Sequence, residues 1–135
     1  MSSATAFIAA LAAAAPAAAQ SHVVEAPVYQ LRIYELYPQT RAAFHDRFRD
    51  HAARIMKRHG FEIVSMWETG TADKPEFAYI LRWPDETRMK AGWAAFMADE
   101  EWARIKRETP AEHRPIVGTI QDRTMRLTDY SPPMK

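Results

Sequence analysis

The chain has no cysteine. That removes disulfides, thiolate metal sites, iron–sulfur clusters and cysteine nucleophiles together. Glycine is scarce as well, four in 135 residues, and none stands in a glycine-rich phosphate or dinucleotide loop, a G-x-S-x-G elbow or a repeated array. Close backbone cradling of a phosphate is therefore not expected. An excess of one charge is missing too: 18 Lys and Arg face 17 Asp and Glu, a formal net charge of +1. No general field draws in nucleic acid or an anionic membrane surface. Nor does any apolar run approach the about 20 residues that span a bilayer. The longest, Ala6 to Ala15, has ten.

That run marks a boundary. Pro16 breaks it, and Ala17-Ala18-Ala19 supplies the small residues of a signal-peptidase site, so residues 1–19 read as a secretory signal cleaved before Gln20. Residues 20–27 read as a linker. The expected location is periplasmic or secreted. The absence of Lys and Arg before Arg32 leaves the cytoplasm as the alternative and argues against a mitochondrial transit peptide. The remainder, 28–135, has the composition and length of one globular domain.

Within it, Val28 to Leu36 alternates as a strand. Tyr29, Leu31 and Ile33 fall on one side, and Val28, Gln30, Arg32, Tyr34 and Leu36 on the other. Both sides carry apolar mass, which suggests that both are covered. A helix follows from Thr40 to about Arg58, stopped by Gly60. At 100° per residue its Phe44, Phe48, His51 and Ile55 form one stripe, with Asp46, Arg49, Asp50 and Lys57 opposite. Next come two strands, from Phe61 with Ile63, Ser65 and Trp67 on one side, then Phe77 to Trp83, joined by a turn at Gly70 to Pro75. A second helix begins at Pro84-Asp85. Its Met89, Trp93 and Phe96 share a face with Gly92, where a side chain would hold the helix off its neighbour. A further helical segment starts at the N-cap Asp99, and Ile116 to Leu127 predicts an overlong last strand that reaches toward a second subunit. The order βαββαβ is an α+β, ferredoxin-like arrangement with a four-stranded antiparallel sheet.

His51 is the candidate for chemistry. An imidazole within an apolar helix stripe is a neutral ring suited to proton transfer or ligand contact. The alternative is a core histidine bonded to a strand group, and His59 has a helix-terminus role to fill. His45, Asp46, Asp50 and His51 resemble ligands in print, but the helical wheel separates them, so no metal is expected, and no cofactor either. Tyr34, Trp67, Tyr79 and Trp93 are rings with polar handles that could wall a flat apolar ligand alongside His51, although burial alone also explains large rings in a small domain.

The segments VYQLRIYEL (Val28 to Leu36), FRDHAARIMKRHGF (Phe48 to Phe61), RMKAGWAAFMADEEW (Arg88 to Trp102) and the terminal LTDYSPPMK occur in one order across nearly all of 28–135. In this the chain resembles the NIPSNAP family of the dimeric α/β barrel group. The resemblance implies a homodimer with sheets packed face to face and a cavity between sheet and helices in each subunit. It implies no settled reaction. The function expected is binding of a small apolar or aromatic molecule. A cofactor-independent monooxygenase or isomerase with His51 as base, and a non-catalytic interaction module, are the alternatives.

Overall fold

A computed structural model describes residues 12–14 and 26–134. The expected signal peptide and most of the linker lie outside the described residues. The fold is the expected α+β one. Strands β1 (Val28–Leu36), β2 (Glu62–Gly70), β3 (Pro75–Trp83) and β4 (Val117–Met125) form one antiparallel sheet in the order β2-β3-β1-β4. Among the described residues the helices lie between the first and second strands or between the third and fourth: α1 (Arg41–Arg47), a π-helical turn (Phe48–Ala52), α2 (Ala53–Arg58), α3 (Glu86–Met97), α4 (Glu100–Glu108) and a short 3₁₀ turn (Ala111–His113).

Register decides which side chains meet the helices. Val28 pairs with Trp83, Gln30 with Leu81, Arg32 with Tyr79 and Tyr34 with Phe77, so these share one face. That face packs with Phe44, Phe48, Ile55, Met56, Phe96 and Trp102 into the single core. Burial of such side chains contributes roughly 1.5–3 kcal/mol each. The other face carries Leu31, Ile33 and Ile80, each half-buried, and no helix of the described residues packs on it.

The ends of the helices follow local chemistry. Asp85 and Asp99 cap α3 and α4 by accepting from the N–H of Arg88 at 2.7 Å and of Trp102 at 3.0 Å. After α2, Gly60 takes a φ of +86°, and the Phe61 and Gly60 N–H groups close back onto the Met56 and Lys57 carbonyls at 3.1 and 3.2 Å. Thr40, by contrast, gives its α1 no side-chain cap; its hydroxyl donates to the Ile116 carbonyl at 3.0 Å and ties the helix start to the loop before β4.

Three expectations need correction. The π turn inserts a residue into the helical phase, with the Ala53 N–H bonding to the Phe48 carbonyl. Ala52 at its end, then Ile55 and Met56, are buried in the core, while His51 is turned off the stripe and only half-buried. An irregularity between Ile63 and Ser65 does the same in β2. Ile63 pairs with Leu81 and Met66 with Tyr79 on the helix side, so Trp67, opposite Ala78, belongs to the other face and is 47% exposed. Finally, β4 has nine residues, as have the other three strands. Its length gives no hint of a partner.

Candidate functional site

On the helix-covered side of the sheet a chain of polar side chains crosses three strands. It begins at Gln30, which is 3% exposed. Its carbonyl oxygen accepts from the indole N–H groups of Trp83 at 3.1 Å and Trp93 at 2.8 Å, and its amide donates to both carboxylate oxygens of Asp122 at 3.0 Å. A buried amide with all these partners orders the rings around it. Asp122 also accepts from Arg32 Nη1 at 2.7 Å. The Arg32 guanidinium lies 4.3 Å from the Trp93 ring and donates through Nη2 to the Tyr34 hydroxyl at 3.3 Å. Tyr34 in turn shares a 2.7 Å hydrogen bond with the Tyr79 hydroxyl.

Burial pushes the Tyr79 phenol above its usual range, and the neighbouring Tyr34 phenol adds to the push. Tyr79 is therefore a proton-bearing group at neutral pH. Arg32 Nε is buried without a partner.

Beside Tyr34 the core leaves a cavity of about 50 Å³ walled mainly by Phe44, Phe48, Met56, Phe96 and Trp102 and bordered by Arg47. Pockets that enclose small ligands run to about 300–1,000 Å³. On the outer side of the helices, a groove of about 430 Å³ runs between the π turn and α4, lined among others by Asp46, Arg47, Asp50, His51, Glu108 and His113. A third hollow of about 390 Å³ opens on the β2 side, with Phe48, Met66, Trp67 and Phe77.

Tyr34, Tyr79 and Trp93 thus come together through Arg32. His51 and Trp67 do not join them. His51 lines the outer groove, where its Nδ1 is buried without a hydrogen bond, and Trp67 lines the hollow beside β2. His51 and Tyr34 border separate spaces, so they do not face one small substrate as base and positioner. His59 has a partner of its own, the Asp99 carboxylate at 2.7 Å. Gln30, Asp122 and Arg47 were not picked out by the sequence. A polar Gln within the apolar side of β1 was the available signal for the first of them. No three His, Asp or Glu side chains among the described residues are placed to hold a metal ion.

An antiparallel sheet in the order β2-β3-β1-β4, with the described helices on one face and a small aromatic cavity beneath them, defines a ferredoxin-like α+β domain. The chain belongs to the NIPSNAP family, whose model matches residues 29–132. Among solved structures, a NIPSNAP-like domain protein from Burkholderia xenovorans is 18% identical with a TM-score of 0.67, covering 81% of this chain and 91% of its own. A NIPSNAP family protein of unknown function from Agrobacterium tumefaciens is 21% identical with a TM-score of 0.67, over 84% of this chain and 97% of its own. The protein Rv0793 from Mycobacterium tuberculosis is 12% identical with a TM-score of 0.51, over 79% of this chain and 100% of its own. No curated protein matches the chain.

Proposed function

We propose that this NIPSNAP protein is an exported homodimer that binds a small, largely aromatic molecule between its sheet and helices. The observation that carries the reading is the cavity wall. Tyr34 presents a phenol held by Arg32 and Tyr79 to a space otherwise bordered mostly by rings and aliphatic groups. A preoriented polar group in an apolar lining is what fixes the pose of a flat ligand. The cavity must widen to admit one, and both α1 with the π turn and α4 border it and the outer groove. The homodimer is supported by the uncovered face with Leu31, Ile33 and Ile80, which a second sheet of the same kind would cover. Export is supported by the composition of residues 1–19.

Native mass spectrometry of the purified full chain tests the binding. A dimer carrying a co-purified molecule of a few hundred daltons is the expected result, and a bare protein that takes up no aromatic compound from a mixed library would refute the reading. N-terminal sequencing of periplasmic material tests the leader, with Gln20 expected as the first residue.

A further inference from the structure

Among the described residues, Arg47 is the side chain that lines both the outer groove and the inner cavity together with the rings that wall it. It is half-buried, its guanidinium lies 5.3 Å from the Trp102 ring centre, and its hydrogen bond is to the neutral hydroxyl of Thr109 at 3.3 Å. No carboxylate among the described residues lies within salt-bridge distance of it. The acids around the groove are otherwise engaged: Asp46 and Asp50 are held by Arg49 at 3.0 and 2.8 Å, and Glu108 by Arg104 at 3.3 Å. A guanidinium partly withdrawn from water without an anion carries part of its desolvation cost uncompensated. Burial accordingly lowers the Arg47 pKa from its ordinary value.

Resting on the reading that the space under the helices takes a ligand, we propose that groove and cavity form one binding site for a small monocarboxylic acid with an aromatic or short-chain body. The Arg47 guanidinium takes the carboxylate at the junction. The planar fork matches a carboxylate with two parallel hydrogen bonds. The body of the acid then lies against Trp102, Phe96 and Phe44, with the Tyr34 hydroxyl at its far end. The groove alone, about 430 Å³, is large enough for such a molecule, and the proposed site requires Arg47, which lines both spaces, to swing away from Thr109. A neutral ligand would leave the guanidinium uncompensated, and a cationic one would add a second positive charge beside it.

The experiment compares phenylacetate with phenylacetamide, and octanoate with octanol, on the full chain at pH 7 by titration calorimetry. Each acid is expected to bind at least about tenfold more tightly than its neutral counterpart. Arg47→Gln should erase that preference while leaving the circular dichroism spectrum unchanged, and Arg47→Lys, which keeps the charge without the fork, should retain part of it. Equal binding of acid and neutral partner, or a preference that survives Arg47→Gln, overturns the carboxylate site and leaves the ligand pocket standing. Failure of all four compounds to bind while the native dimer holds a co-purified neutral molecule has the same meaning. If nothing binds and nothing co-purifies, both this site and the pocket fall.

Discussion

The hydroxyls of Tyr34 and Tyr79 meet at 2.7 Å under the helices, yet the two phenols are not equivalent. Tyr34 also accepts from Arg32 at 3.3 Å, whereas among the described residues the short hydrogen bond of the Tyr79 hydroxyl is the one to Tyr34. Tyr34→Phe therefore strands a fully buried hydroxyl and should cost about 1–3 kcal/mol, while Tyr79→Phe leaves Tyr34 bonded and should cost about 1 kcal/mol. The double variant should be less destabilised than the sum of the two. Urea unfolding of the three variants measures this.

The same burial sets an alkaline limit. The folded Tyr79 pKa lies above the ordinary value near 10, so the stabilising effect of its neutral form is fully present below that value and is lost as pH rises through the folded one. Absorbance titration should show one tyrosine still protonated after the exposed ones have ionised, and Tyr79→Phe should remove that late component.

At acid pH the sensitive group is Asp99. Hydrogen bonds from Arg58, His59 and the Trp102 N–H hold its pKa below the usual carboxylate range. Its contribution is present above the unfolded value near 3.9 and is lost as pH falls through the folded one. Asp99→Asn should lower Tm at pH 7 and flatten the decline of Tm below about pH 4; an unchanged acid slope would assign that decline to other carboxylates.

Gly92 packs against Trp83, and a Cβ built there would lie 2.6 Å from the indole Cη2 and 3.2 Å from the His59 carbonyl oxygen. Trp83 is 1% exposed and cannot yield freely. Gly92→Ala should therefore destabilise by about 1–3 kcal/mol, although alanine is the better helix former on intrinsic propensity. A gain in Tm would show that α3 can shift outward.

For the proposed dimer, the decisive surface is the uncovered side of β1. Ile33→Glu places a charge among Leu31, Ala78 and Ile80 and should raise the dimer dissociation constant at least about tenfold, as followed by sedimentation velocity, with secondary structure retained. A native chain that sediments as a monomer would remove the dimer altogether.

The strands, the antiparallel sheet, the helix start at Asp85, the cap at Asp99 and the close approach at Gly92 were all legible in the sequence. The strand alternation and the helix starts depend on residues near one another in the chain. Two single-residue insertions were not legible. The π turn at Phe48–Ala52 and the irregularity between Ile63 and Ser65 each shift a regular pattern by one position. Neither is signalled by a glycine or proline, because the residues involved fit either phase. That is why His51 and Trp67 were placed on the wrong sides. The polar chain was half legible: Arg32 and Tyr34 share a side of β1 by simple alternation, but Asp122 enters only through a pairing with Gln30 that spans 92 residues. Arg47 looked like any other helix charge until the turn after it closed the groove.

The strand order also has a consequence for biosynthesis. β1 is flanked by β3 and β4, so the first strand to leave the ribosome waits for the last one before its second edge is paired. Until residues 117–125 emerge, Gln30 and Arg32 lack Asp122. Without β4, β1 keeps one edge unpaired and the Arg32 guanidinium lacks its carboxylate, and an unpaired strand edge is a template for pairing with another chain.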